Sequence, residues 1–143
     1  MIKYTYMRKF ELLEHTADVA IRVLASTKAG LTIAAVQGMF AAAEPRLGDE
    51  DAPDVKRVFD VSGEDFPSLL VNLLNEAVSL GNINHERYQD ISFSLITDKK
   101  AEGEFVGKPV SGFGTEIKAA THHDLKVEKN LDGEWETVIT FDV

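Results

Sequence analysis

The 143-residue chain contains no cysteine, which removes disulfides, thiolate metal sites and cysteine nucleophiles from the chemistry open to it. The absence fits a reducing compartment. No apolar run approaches the roughly 20 residues that span a bilayer, and Met1-Ile2-Lys3-Tyr4-Thr5-Tyr6-Met7 lacks the apolar centre of a signal peptide. A cytoplasmic protein with no membrane partner is expected. Positive charge is also scarce: 24 acids against 15 Lys and Arg leave a net charge of −9. Free nucleic acid is held chiefly by clustered cations, so tight direct binding of RNA or DNA is not expected. Cations or a basic protein surface suit the balance better. There is no repeat, low-complexity tract or linker. The length predicts one domain over residues 8–143 after a short extension at residues 1–7, with a 44% hydrophobic fraction ordinary for a packed core.

What is present reads as alternating strands with two helices between them. Phe10 to Leu13 and Val19 to Ala25 have the two-residue period of a half-buried strand. Thr27 is a candidate N-cap for a helix from Lys28 to Ala43, whose Gly30 and Gly38 lower its intrinsic propensity. Pro45, Gly48 and Pro53 bracket a loop holding Asp49-Glu50-Asp51, read as a solvated turn in preference to a cation site. Val55 to Val61 is a strand. Asp65 then caps a second helix with Pro67 in its first turn and an apolar stripe of Leu69, Leu70, Leu73, Leu74, Ala77, Val78 and Leu80. The stripe predicts an end near Gly81 and a polar loop over 82–85; Asn75 and Glu76 lie within the helix, and either could face solvent. Two more strands, Ile91 to Thr97 and Ala101 to Val106, flank a turn at Asp98-Lys99-Lys100. Lys108 to Gly114 reads as a mobile loop, Ile117 to Thr121 as extended, and Leu125 to Lys129 as pairing with Trp135 to Phe141 across Asp132-Gly133. The expected fold class is α+β: two helices packed on a largely antiparallel sheet of seven or eight strands.

The densest chemistry is Glu14-His15-Thr16-Ala17-Asp18, between the first two strands. It is either a tight turn, with Thr16 and Asp18 bonded to nearby backbone, or part of a site. Two more polar clusters fall at strand ends: Glu116 to His123, and Phe141-Asp142-Val143. The last strand carries the Asp142 carboxylate and the terminal oxygens of Val143 within a few ångströms of each other, since a strand rises about 3.3 Å per residue. If Asp18 meets them, the oxygen-only donor set suits Ca²⁺ or Mg²⁺. Adding His15 or His123 tilts it toward Mn²⁺ or Zn²⁺. The alternatives are a frayed, solvated end, or a metal-dependent phosphoester hydrolase with His123 as general base. Adjacent His122 and His123, if on a strand, point to opposite faces and do not share a site.

Leu13-Glu14-His15-Thr16-Ala17-Asp18, Gly114-Thr115-Glu116-Ile117-Lys118-Ala119-Ala120-Thr121-His122-His123 and Phe141-Asp142-Val143, in this order, resemble the motifs of the archease family. Leu74-Asn75-Glu76 is similar to that family's helical Leu-Asn-Glu signature, and the resemblance runs from about Met7 to Val143. It implies a non-catalytic activator of an RtcB-type RNA ligase in tRNA splicing, which promotes ligase guanylylation and repeated turnover. It also implies a divalent metal, Ca²⁺ first with Mg²⁺ or Mn²⁺ as alternatives. The motif acids fall on Asp18 and Asp142, with Val143 supplying oxygen and His15 as a neighbour. Lys118, beside Glu116, matches the basic residue of the family's Glu-Ile-Lys motif; it serves partner contact or site electrostatics, or is a salt-bridged structural lysine. The chain departs from the family pattern at Leu73, where many relatives carry Trp, at His122, where Tyr is usual, and in a shorter loop over Lys108 to Gly114. An acidic interaction domain without metal is the remaining reading.

Overall fold

The computed structural model describes residues 7–13 and 18–143. In the first of two antiparallel sheets, β1 (Arg8–Leu13) pairs with β2 (Val19–Ala25), Leu13 opposite Ala20. Alternation along β2 puts Ile21, Val23 and Ala25 in the core. The Thr27 hydroxyl then accepts the Gly30 N–H at 3.0 Å and starts α1 (Lys28–Ala42). This helix is buried continuously from Ala29 to Val36, because β1 and β2 lie on one side of it and β5 (Glu86–Ile96) on another. The close approach explains Gly38: a Cβ there would stand 2.8 Å from Ile21 Cδ1 and 3.0 Å from Phe10 Cβ. Packing thus offsets the low helix propensity of glycine.

The second helix, α2 (Phe66–Asn84), begins where the Asp65 carboxylate accepts the Ser68 N–H at 2.9 Å, with Pro67 in the first turn. That bond holds the Asp65 carboxyl below its ordinary range. The helix does not stop near Gly81. Residues 82–84, expected as loop, are helical, and His85 closes the helix in the left-handed conformation at φ 55°. Gly81 is instead a contact point, where a Cβ would sit 2.8 Å from both the Phe40 ring and the Glu86 carbonyl oxygen.

The second sheet is built on β6 (Lys100–Phe113), which pairs with β4 (Val55–Ser62), with β5, and at its far end with β3 (Pro45–Leu47). The expected mobile loop from Lys108 to Gly114 is therefore strand as far as Phe113. The Val110 N–H donates to the His85 carbonyl at 2.8 Å and Gly114 to Glu44 at 2.8 Å; Pro109, lacking an N–H, interrupts the strand's donors at only one position. In the first sheet, β9 (Trp135–Asp142) pairs with β2, with β7 (Ala119–Ala120) and with β8 (Glu128–Lys129). Only Glu128 and Lys129 of the expected strand from Leu125 pair with β9.

Both helices pack between the sheets: α1 as described, and α2 against β4, β5 and β6 on one side and β7 on the other. The α+β class expected from patterning is the observed one. The core centres on Phe59, Tyr88, Phe93 and Phe105, with the Phe59–Phe105 rings stacked at 4.5 Å and Tyr88–Phe105 at 5.4 Å. No helix among the described residues is long and apolar enough to cross a membrane.

Candidate functional site

The β2–β9 register ends with Val19 opposite Phe141, so Asp18 and Asp142 each lie one residue beyond that last pair, at the same end of the two strands. Both residues are exposed at the strand ends. Like charges brought to one strand end repel each other. Two carboxylates at that junction make a position where a cation is favoured. Val143 follows immediately, also exposed.

The third strand at this end is held by backbone and by helix α2. The Lys118 N–H donates to the Asp142 carbonyl at 2.8 Å, and Thr121 N–H to the Thr140 carbonyl at 3.0 Å. On its other side the Ala120 N–H donates to Asn75 Oδ1 at 2.7 Å, while Asn75 Nδ2 donates to the Ala120 carbonyl at 3.4 Å. One turn-pair further along α2, Asn82 Nδ2 donates to the Ile117 carbonyl at 3.2 Å. On the sequence either Asn75 or Glu76 could face solvent. Asn75 is half-buried and acts as a two-handed clamp on the backbone of the segment that carries Lys118. Ile117 and Ala120 are buried and anchor this segment on either side of Lys118, which is exposed.

The remaining candidate residues have other recorded neighbours. Glu116 is exposed and lines a shallow hollow with Asn82, His85 and Phe113. His123 is exposed, its Nε2 3.2 Å from the carboxylate of Asp124. His122 and His123 are not on a strand. They lie in a turn closed by the Leu125 N–H on the His122 carbonyl at 3.2 Å, with Asp124 at φ 49°, so the opposite-face argument does not apply to them. His122 lines a hollow near the start of α2 with Ser68 and Asn72. Leu73 is fully buried in the core. Glu14 and His15 lie outside the described residues.

Among the described residues no three or more His, Asp or Glu side chains cluster as a metal cage. The donor set available at this strand end is two carboxylates with neighbouring main-chain oxygens. That composition fits a hard divalent cation, which takes oxygen ligands and tolerates water in several positions.

A second polar arrangement has no counterpart in the sequence reading. Glu86, 3% exposed, receives Arg57 Nε at 2.9 Å, Arg57 Nη2 at 2.6 Å and the Tyr88 hydroxyl at 2.8 Å. Arg57 holds the Glu86 carboxyl below its ordinary range against the opposing effect of burial. Burial, then Glu86, raises the Tyr88 hydroxyl above its own range. The network ties β4 to β5 across β6 and is read as structural. Its only sequence signal was an acid and a Tyr spaced two apart, on one strand face.

Comparison with known proteins agrees with the motif reading. The model of the Archease protein family matches residues 10–143. The protein archease of Methanopyrus kandleri is 34% identical over 137 residues, spanning 88% of this chain and 93% of the relative. That of Pyrococcus abyssi is 31% identical over 144 residues, spanning 96% of this chain and 100% of the relative. Two solved structures share the fold. One is the crystal structure of an archease, described as a possible chaperone, from Thermotoga maritima, with a TM-score of 0.61 at 22% identity over 92% of this chain and 94% of that one. The other is a solution structure of a Methanobacterium thermoautotrophicum protein, with a TM-score of 0.66 at 17% identity over 94% and 98%. On the match of the family model to residues 10–143 and relatives above 30% identity along nearly the whole chain, the protein belongs to the archease family.

Proposed function

We propose that this chain is a non-catalytic, metal-binding activator of an RtcB-type RNA ligase, acting in tRNA splicing and RNA repair by promoting ligase guanylylation and multiple turnover. Family membership supports a role connected with tRNA processing. The observation that supports the finer reading is the register, which ends with Val19 opposite Phe141 and so leaves Asp18 and Asp142 at the same end of β2 and β9. In this reading the two carboxylates and a main-chain oxygen of Val143 would hold a divalent cation, Ca²⁺ before Mg²⁺ or Mn²⁺. When bound, the cation supplies positive charge and ligand positions that oxygens of a partner can complete. Asp18 and Asp142 orient it, and the exposed Lys118 lies on the neighbouring segment, available to an anionic group of the partner. The acidic balance of −9 suits docking on a basic RNA-binding enzyme.

A multiple-turnover ligation assay with the cognate ligase tests the reading. Substoichiometric wild-type protein is expected to stimulate turnover, and Asp18→Ala and Asp142→Ala to lose the stimulation while keeping the wild-type circular dichroism spectrum. Full stimulation by both variants contradicts the site. Phosphoester hydrolysis by the protein alone with a divalent metal would favour the hydrolase reading instead.

A further inference from the structure

We infer that the hollow between the C-terminal end of α2 and the end of β6 is a socket for one arginine side chain of a protein partner. Asn82, His85, Gly112, Phe113 and Glu116 line it, and its volume is about 220 Å³. Pockets for whole small molecules begin at roughly 300 Å³. This one suits the end of a single long side chain.

The polar part of its wall offers acceptors. Glu116 brings a carboxylate and enters no ion pair among the described residues. Asn82 commits its Nδ2 to the Ile117 carbonyl at 3.2 Å, which leaves Oδ1 for a new donor. The hollow also opens beside the end of a 19-residue helix whose last turn carries no basic side chain. The carbonyls of such an end hold partial negative charge, so a cation is favoured there.

Phe113 adds an aromatic wall, its ring packed on Phe40 with centroids 6.2 Å apart. A guanidinium answers all of these features at once. Its planar fork donates to a carboxylate and an amide oxygen, and its face stacks on a ring. A lysine ammonium lacks the planar fork. A metal ion fits less well, because no three His, Asp or Glu side chains cluster among the described residues.

The other acid-lined hollows hold cations of their own. Beside β4, Lys100 already takes Asp60 at 3.2 Å and Glu102 at 3.5 Å. Beside β8, Lys126 and Lys129 stand in the wall with Glu128 and Glu136. The identity of the partner rests on the activator reading, in which the arginine belongs to the ligase.

Titration of the isotope-labelled intact chain with N-acetylarginine amide, followed by NMR, provides the test. N-acetylcitrulline amide is the uncharged isostere. Saturable shifts at Asn82, His85, Phe113 and Glu116 are expected with the arginine probe and none with citrulline. Glu116→Gln is expected to weaken binding at least about tenfold, since it removes the charge from a charge-assisted pair. Glu128→Gln is expected to leave binding unchanged. Equal binding of the two probes, wild-type binding by Glu116→Gln, loss through Glu128→Gln, or shifts spread over the whole acidic surface would each overturn the inference. The titration contains no ligase, so its failure is distinguishable from failure of the activator reading.

Discussion

Asn75→Ala removes both hands of the clamp that α2 places on the segment leading to Lys118. The lost bonds are the Ala120 N–H on Oδ1 at 2.7 Å and the longer Nδ2 bond to the Ala120 carbonyl at 3.4 Å. Ala120 is 5% exposed, so its N–H becomes a buried donor with no acceptor from the helix. An orphaned buried donor costs about 1–3 kcal/mol. The weak second bond adds little, and a loss of about 2 kcal/mol is the working figure. Part of it falls on local opening of the segment. About 1.4 kcal/mol of that share corresponds to roughly tenfold faster exchange of amides protected by the same opening. The protected amides are named by the structure: Lys118, bonded to Asp142, and Thr121, bonded to Thr140. Hydrogen exchange by NMR, with urea unfolding followed at the single Trp135, reads both quantities. Faster exchange at Lys118 and Thr121 with β2 amides unchanged is the expected pattern. Unchanged exchange at those two amides, or a uniform change across both sheets, would refute the clamp.

Further outcomes follow from the same geometry. Arg57→Ala leaves the Glu86 carboxylate, 4% exposed, without its cation, so a loss of stability in urea unfolding is expected, moderated by the exposure of the arginine. Because the folded Glu86 carboxyl titrates below its ordinary 4.5, the difference between wild type and variant should be full above that pH and shrink as pH falls through the folded value; urea unfolding at several acidic pH values reads it. Gly81→Ala drives a methyl to 2.8 Å from a backbone oxygen and from the Phe40 ring, so a loss of about 1–3 kcal/mol is expected in thermal unfolding despite the better helix propensity of alanine. Calcium should raise the melting temperature of the wild type with a concentration dependence that saturates, and Asp18→Asn should remove that rise while leaving the cation-free protein at least as stable, since it removes one of two like charges at the strand end.

Periodicity and capping made much of the fold legible before any coordinates. The alternation in Val19 to Ala25, the Thr27 and Asp65 caps and the Leu69-to-Leu80 stripe each appear in the structure as read. The failures share a cause. Gly81 looked like a helix end, but a glycine is chosen equally where another chain approaches closely, and here Phe40 and Glu86 do. Gly112 and Pro109 looked like loop residues, yet strand partners on β3 and β5 hold their segment in place. Local chemistry carries no record of a partner supplied by distant residues. Asn75 shows the same limit from the other side: a polar residue within a helix reads as solvent-facing unless the strand it clamps is known. Glu86 was missed because its arginine lies 29 residues upstream on another strand. At the site, the sequence supplied Asp18 and Asp142 as candidates, and the register of β2 against β9 shows that both lie at the same end of these strands. Glu116 and His123, candidates by sequence proximity, sit beside other residues.

The central claim is that this strand-end pair equips the protein to prepare a ligase for reaction. The most direct measurement follows transfer of labelled guanylate from GTP onto an RtcB-type ligase, with this protein at a small fraction of the ligase concentration and Ca²⁺, Mg²⁺ or Mn²⁺ supplied in turn. The account predicts faster guanylylation with wild-type protein and loss of the acceleration in Asp142→Ala. Equal acceleration by wild type and Asp142→Ala, or none by the wild type on a ligase that is otherwise active, would contradict it.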